Sequence, residues 1–231
     1  MLVQTMRVST RAALAVLVAF GLSACAPMSA PSAGGPAEVP IDIDVATTVI
    51  ADLQYGTGGG ETLLLDACLP TDITTQPRAA VILVHGGSWA RGDKADPDVR
   101  AACEWLASEG YATFSINYRL APESTFPAQL NDVQAAVRWV RLPEQVTRFA
   151  LDPDRVGLFG ASAGGHLAAL AGASGEGNWV ADARVAAVVD LSGPIDLHAA
   201  IPTTAAYTGD FAQAQLDFLG CAVFAGCVTA D

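Results

Sequence analysis

The chain has 231 residues, is 52% hydrophobic and carries a net charge of −12 at pH 7. That length and apolar share suffice for one domain with a large core. The acidic balance, with Lys94 the single lysine beside eleven arginines, argues against nucleic acid or an anionic membrane surface as a partner.

The first 24 residues read as a targeting segment. Arg7 and Arg11 give a positive start, and Ala12 to Phe20 is an apolar stretch too short to span a bilayer. Leu22-Ser23-Ala24-Cys25 then resembles a bacterial lipobox, in which the cysteine becomes the lipidated first residue. The alternative is an ordinary secretory signal with Cys25 incidental. Both readings export the protein, and the first anchors it in the cell envelope, touching the membrane only through its lipid. Residues 26–40, with four prolines and two glycines, read as a flexible tether. Residues 41–231 then form the folded domain.

Val45 to Tyr55 and Glu61 to Leu69 read as two strands of a hairpin, joined by the turn Thr57-Gly58-Gly59-Gly60. Ala79 to Val84 is a continuous apolar run suited to a strand buried on both faces. Pro97 to Ser108 places Val99, Ala102, Cys103 and Leu106 at helical spacing, and Gly110 ends that helix. Tyr111 to Asn117 is a strand. Pro127 to Arg141 aligns Leu130, Val133, Val137 and Val140 on one helical face, with Pro127 suited to the first turn. Asp152-Pro153-Asp154-Arg155 reads as a turn before the strand Val156 to Phe159. Val185 to Leu191 reads as a further buried strand. A hairpin followed by alternating strands and helices is α/β with a mostly parallel sheet.

Export makes disulfides feasible. Cys221 and Cys227 enclose a small loop that a bridge would close, and whether they pair stays open. Cys68, in an apolar strand-like run, and Cys103, on a helix face, read as buried small apolar residues. No Cys or His spacing matches a metal site, so no metal or cofactor is expected.

The chemistry is concentrated in Gly160-Ala161-Ser162-Ala163-Gly164, set between a strand and an Ala/Leu-rich helix. A serine at such an apex, with glycine two positions to either side, is the G-x-S-x-G nucleophile elbow. It names acyl transfer through a serine ester. Upstream, the strand ending at Val84 runs into His85-Gly86-Gly87-Ser88-Trp89. Further on come Tyr118-Arg119-Leu120-Ala121-Pro122-Glu123, then Phe126-Pro127 and Asp132. In that order these segments resemble the alpha/beta-hydrolase esterases with an His-Gly-Gly oxyanion motif. Trp89 and Gly92-Asp93-Lys94 look most like the feruloyl-esterase-like branch, and Tyr118 to Glu123 like the hormone-sensitive-lipase-like branch. The resemblance covers roughly residues 45–220.

The resemblance implies that Ser162 is the nucleophile attacking a small-molecule ester. It implies that the main-chain N–H groups of Gly86, Gly87 and Ala163 hold the oxyanion. His85 is expected to hold the oxyanion loop, His166 to be packed, and Asp132 to support the Tyr118–Glu123 loop. Phe126, Trp89 and Trp179 read either as pocket lining or as core. In such folds an acid and then a histidine follow on two further strands. Up to Asp231 neither strand is found, so the chain is expected to be a C-terminally incomplete esterase lacking its acid and histidine. Asp196 and His198 mimic the right order, but they lie two residues apart just after the sixth strand, and the triad is not assigned to them. The alternative is an exported lipoprotein that binds an ester or acyl ligand without turnover.

Overall fold

The alternating apolar runs build one six-stranded sheet, ordered β1-β2-β4-β3-β5-β6. The strands are β1 (Thr47–Gly58), β2 (Glu61–Pro70), β3 (Arg78–Val84), β4 (Ala112–Ile116), β5 (Leu151–Ala161) and β6 (Ala187–Leu191). In this computed structural model the described residues are 46–72, 76–175, 182–195, 197, 210–222 and 227. All belong to the unit Ile41–Asp231. The targeting segment, Cys25, the tether, Trp179, Asp196 and His198 lie outside the described residues.

The expected hairpin is β1 and β2, paired antiparallel around Gly59 and Gly60. β2 is also antiparallel to β4, whereas β4, β3, β5 and β6 run parallel. Parallel neighbours need crossovers, and helices supply them. These are α1 (Pro97–Ser108), α2 (Ala128–Val140), α3 (Pro143–Phe149) and α4 (Ala163–Ser174), and α5 (Asp210–Leu219) follows β6.

Strand alternation sorts the core into two faces. Ile82, Phe114 and Leu158 are cross-strand neighbours and pack with Val133 and Val137 of α2 and Leu167 and Ala171 of α4. One residue on, Leu83 faces the other way and packs with Cys68, Cys103 and Ala107. That second face carries α1. A largely apolar cavity of about 430 Å³ lies there between Trp105, Tyr111, Phe159 and Val189.

Three expectations need correction, and one open question is answered. Asp152 to Arg155 lie within β5, where residues 152–155 bulge out between the Arg78↔Leu151 and Ala80↔Val156 pairs. Asp152 closes the bulge by accepting from the Asp154 amide (3.0 Å) and the Arg155 guanidinium (2.7 Å). Cys68 and Cys103 are buried but not free thiols: they form a disulfide tying β2 to α1. Cys221 and Cys227, left open above, also pair. Finally, β6 is not buried. It starts at Ala187, pairs with β5 alone among the described residues, and leaves Val188, Val189 and Leu191 exposed. Two helices, α3 and α5, were not read from the sequence. α3 is short, and α5 follows a stretch without strong periodicity.

Candidate active site

β5 and α4 meet at Ser162, whose φ of 53° and ψ of −122° lie where a residue with a Cβ is strained. Two main-chain hydrogen bonds hold it there. The Ser162 amide donates to the Leu191 carbonyl of β6 at 2.8 Å, and the His166 amide donates to the Ser162 carbonyl at 3.0 Å. The flanking glycines are required by close approach: a Cβ on Gly160 would overlap the Gly164 carbonyl, and one on Gly164 would overlap that of Val84. Ser162 itself is exposed.

The loop after β3 lies beside it. A Cβ placed on Gly86 would stand 3.0 Å from the Ala161 carbonyl oxygen and 3.5 Å from Ser162 Cβ. Gly87 has φ +115°, and the chain folds back on its carbonyl, which accepts from the Ala90 and Arg91 amides at 3.1 Å each. Gly86, Gly87 and Ser162 line one cavity of about 500 Å³, together with Arg91, Phe159 and Leu191. Ala163 follows directly as the first, buried residue of α4. The four sequence-derived site positions other than Cys25 are therefore neighbours in space.

Supporting residues fix this loop. His85 is buried and stacks on Tyr118 with ring centroids 4.3 Å apart. Its Nδ1 sits 2.7 Å from the Gly86 carbonyl oxygen, and its own carbonyl accepts from the Tyr118 hydroxyl at 3.1 Å. Burial pulls the His85 pKa below its ordinary value and pushes the Tyr118 phenol above its own. Asp132 grips Arg119 as expected. It accepts from the Arg119 amide (3.0 Å), from Nε (2.9 Å) and from a terminal guanidinium nitrogen (2.7 Å). Trp89 belongs to the core, fully buried and stacked on Phe218 of α5 at 4.5 Å. Phe126 is partly buried against the same core and meets the Phe218 ring at 5.6 Å. His166 packs edge-on against Trp89 and Phe218, and burial pulls its pKa down to about 4.

Besides Ser162 and the glycines, the cavity is lined by the buried His85 and by the carboxylates Asp96 and Asp98. No hydrogen bond joins the Ser162 hydroxyl to a described side chain. Both described histidines are desolvated and occupied with packing. Among the described residues no cluster of His, Cys, Asp and Glu is arranged to hold a metal ion, and no helix is long and apolar enough to cross a membrane.

Sequence reading missed an ion cluster at the far end of the loop that follows β3, formed by Lys94, Asp52, Asp66 and Arg100. Two signals were present. Lys94 is the only lysine, and Asp66 interrupts the apolar run Leu63 to Leu69. It also missed Phe218, for which no local motif exists.

Comparisons with known proteins agree with this geometry. A family model described as BD-FAE matches residues 65–224. Esterase LipQ of Mycobacterium tuberculosis is 37% identical over 154 residues, which is 64% of this chain and 36% of that protein. Esterase LipC of the same organism is 39% identical over 109 residues, 47% of this chain and 26% of that protein. The chain thus spans about a quarter to a third of the length of these curated relatives. Among solved structures, a truncated carbohydrate esterase from gut microbiota aligns with a TM-score of 0.55 at 30% identity, over 71% of this chain and 61% of that one. A bifunctional GH43-CE protein of Bacteroides eggerthii aligns with a TM-score of 0.59 at 31% identity, over 75% of this chain and 24% of that one. With the family model covering most of the described fold, and with an alpha/beta-hydrolase sheet carrying the elbow and glycine loop where they belong, the chain is a member of the BD-FAE family of alpha/beta-hydrolase esterases.

Proposed function

We propose that this chain carries the nucleophile and oxyanion-hole part of a serine carboxylic-ester hydrolase acting on a small-molecule ester. The observation that carries the reading is the exposed, positive-φ Ser162 at the strand-to-helix apex, sharing one cavity with Gly86 and Gly87. Ser162 Oγ attacks the ester carbonyl carbon and gives up its proton to a general base. The oxyanion is held by the N–H groups of Gly87 and Ala163, with Gly86 beside them. Collapse expels the alcohol, which takes the proton back, and water then releases the acid from the acyl-serine by the same steps in reverse.

The reading assigns the base to none of the chain's three histidines. His85 and His166 are buried in structural contacts, and His198 follows too soon after β6. It assigns the acid and histidine to sequence beyond residue 231, making 1–231 a portion of the full esterase. The test is hydrolysis of a nitrophenyl acetate and labelling by a fluorophosphonate. The polypeptide 1–231 retains only a residual rate, roughly 10³–10⁴ over the uncatalysed reaction, about 10⁶ below an intact triad enzyme. Ser162→Ala removes the labelling, and His198→Ala changes nothing beyond folding. Full turnover lost in both variants, with the fold intact, would make His198 the base and overturn the assignment.

The export reading belongs to the same proposal. A lipid on Cys25 leaves the domain tethered by residues 26–40 at the cell envelope. Mass spectrometry of the mature N-terminus checks it: lipidated Cys25 supports the anchor, and an unmodified N-terminus at another residue refutes it.

A further inference from the structure

The only lysine of the chain is nearly buried, and it sits at the end of the oxyanion loop. Lys94 Nζ lies 2.8 Å from Asp52 Oδ1 and 2.8 Å from Asp66 Oδ1. The other oxygen of Asp66, itself 1% exposed, takes the Arg100 guanidinium of α1. The Asp52 amide donates to Asp66 at 3.0 Å. Asp52 stands in a β-bulge of β1 at φ 58°, a conformation costly for a non-glycine residue. That distortion turns the Asp52 carboxylate and amide toward the cluster. The main chain of Lys94 is fixed as well. Its amide donates to Asn117 Oδ1 at 2.6 Å, and its carbonyl accepts from Ser115 Oγ at 2.9 Å. Asn117 in turn donates to Asp93 at 2.9 Å.

Burial opposes charge on both members of the central pair, yet each is driven toward its charged form. The contacts from Lys94, the Asp52 amide and Arg100 outweigh burial and hold the Asp66 carboxyl below its ordinary range. The Asp52 and Asp66 carboxylates outweigh burial and raise Lys94. A cluster of this kind contributes little net stability compared with an apolar replacement, but pulling it apart leaves a buried charge unpaired, which holds the segments it joins together. The segment it fixes is short. From Lys94 the chain runs back through Gly92, where a Cβ would overlap the His85 ring and the Gly86 carbonyl. The far side of the loop is pinned by Tyr118 to the His85 carbonyl and by the Ala121 amide to the Trp89 carbonyl at 2.9 Å.

We infer that the Lys94–Asp66–Asp52 cluster positions the Gly86 and Gly87 amides for the oxyanion, so that Lys94 is a positioning residue of the esterase site. This rests on the reading of Ser162 as nucleophile. The cluster acts through the main chain of the loop and does not touch substrate. Its loss therefore lowers the rate of covalent attack more than binding.

Lys94→Met is the informative variant, because Asp66 keeps Arg100 and no buried charge is left alone. Lys94→Arg restores the charge, and Asp52→Asn weakens only the exposed arm. Two readouts are made on the folded 1–231 polypeptide: the kinact and KI of a fluorophosphonate at Ser162, and amide hydrogen exchange of the segment 85–94. Lys94→Met is expected to lower kinact by about 10- to 100-fold with KI within about twofold. Exchange rises in 85–94 and not in the central strands β3 and β4. Lys94→Arg recovers part of both effects. Wild-type kinact and unchanged exchange in folded Lys94→Met overturn the inference while leaving the Ser162 reading in place. Labelling that survives Ser162→Ala would overturn the Ser162 reading, and where labelling of the wild-type chain without its general base is too slow to measure, the exchange measurement alone decides whether the cluster holds the loop.

Discussion

Gly164, in the first turn of α4, packs its bare α-carbon against the main chain at Val84, the last residue of β3. This contact brings the helix that follows Ser162 onto the strand that leads into the His85–Gly87 loop. A side chain there would have to displace the main chain, because the Val84 and His85 carbonyl oxygens both lie in its path. Gly164→Ala is expected to destabilise the domain by about 3 kcal/mol or more and to abolish fluorophosphonate labelling. Urea unfolding together with labelling checks this. A stable Gly164→Ala protein that labels at the wild-type rate would show that the two elements are less closely joined.

The two disulfides should differ in worth. Cys68 and Cys103 are 35 residues apart and link β2 to α1, where Asp66 and Arg100 make a second link. Cys221 and Cys227 are 6 apart. On loop-closure entropy the first bridge is worth about 4 kcal/mol and the second about 2 kcal/mol. Denaturant unfolding of Cys68→Ala/Cys103→Ala and of Cys221→Ala/Cys227→Ala should rank them in that order. Equal midpoints for wild type and the first double variant would refute the ranking.

His166 should make the fold acid-sensitive. Burial against Trp89 and Phe218 outweighs the nearby Asp190 carboxylate and lowers its pKa to about 4, against about 6.5 for an unfolded histidine. Between those values the unfolded chain binds a proton that the folded chain does not. This contribution is complete above the unfolded pKa and is lost as pH falls toward 4. Its size is on the order of 3 kcal/mol. His85, also depressed by burial, acts in the same direction. Stability measured from pH 7 to 4 should fall steeply in the wild type and less so in His166→Phe. Parallel slopes in the two proteins would place the proton elsewhere.

Self-association should run through β6. Its outer edge is unpaired among the described residues, and Val188, Val189 and Leu191 are 38%, 43% and 47% exposed. An open apolar edge of this kind recruits another strand. The polypeptide 46–231 is expected to dimerise or aggregate in sedimentation velocity, and Val189→Lys to shift it toward monomer. A monodisperse wild-type monomer with a sharp melt would count against this.

The strand-to-helix turn at Ser162 and the loop after β3 were legible because their geometry is written locally. Gly160-x-Ser162-x-Gly164 and His85-Gly86-Gly87 are short segments whose backbone requirements only glycine meets, so they announce themselves without a partner. The helices α1 and α2 showed through their periodic apolar faces and their proline starts. Tyr118 to Asp132 was read correctly by resemblance, and the Asp132–Arg119 grip is the reason.

Tertiary structure alone decided what depends on partners distant in sequence. Cys68 and Cys103 look like apolar core residues in either local context, and only the docking of α1 on β2 brings them together as a bridge. Val185 to Leu191 is as apolar as a central strand, yet its place beyond β5 leaves it exposed. A run's hydrophobicity states how it would pack, not which neighbours cover it. Lys94 is the sharpest case. In sequence it is one charge in a polar loop. Folded, it joins Asp52 and Asp66 from two other strands, because β1 bulges and β2 carries a carboxylate into the core. A charge cluster is assembled by the fold, and its members carry no shared spacing by which a sequence could declare it.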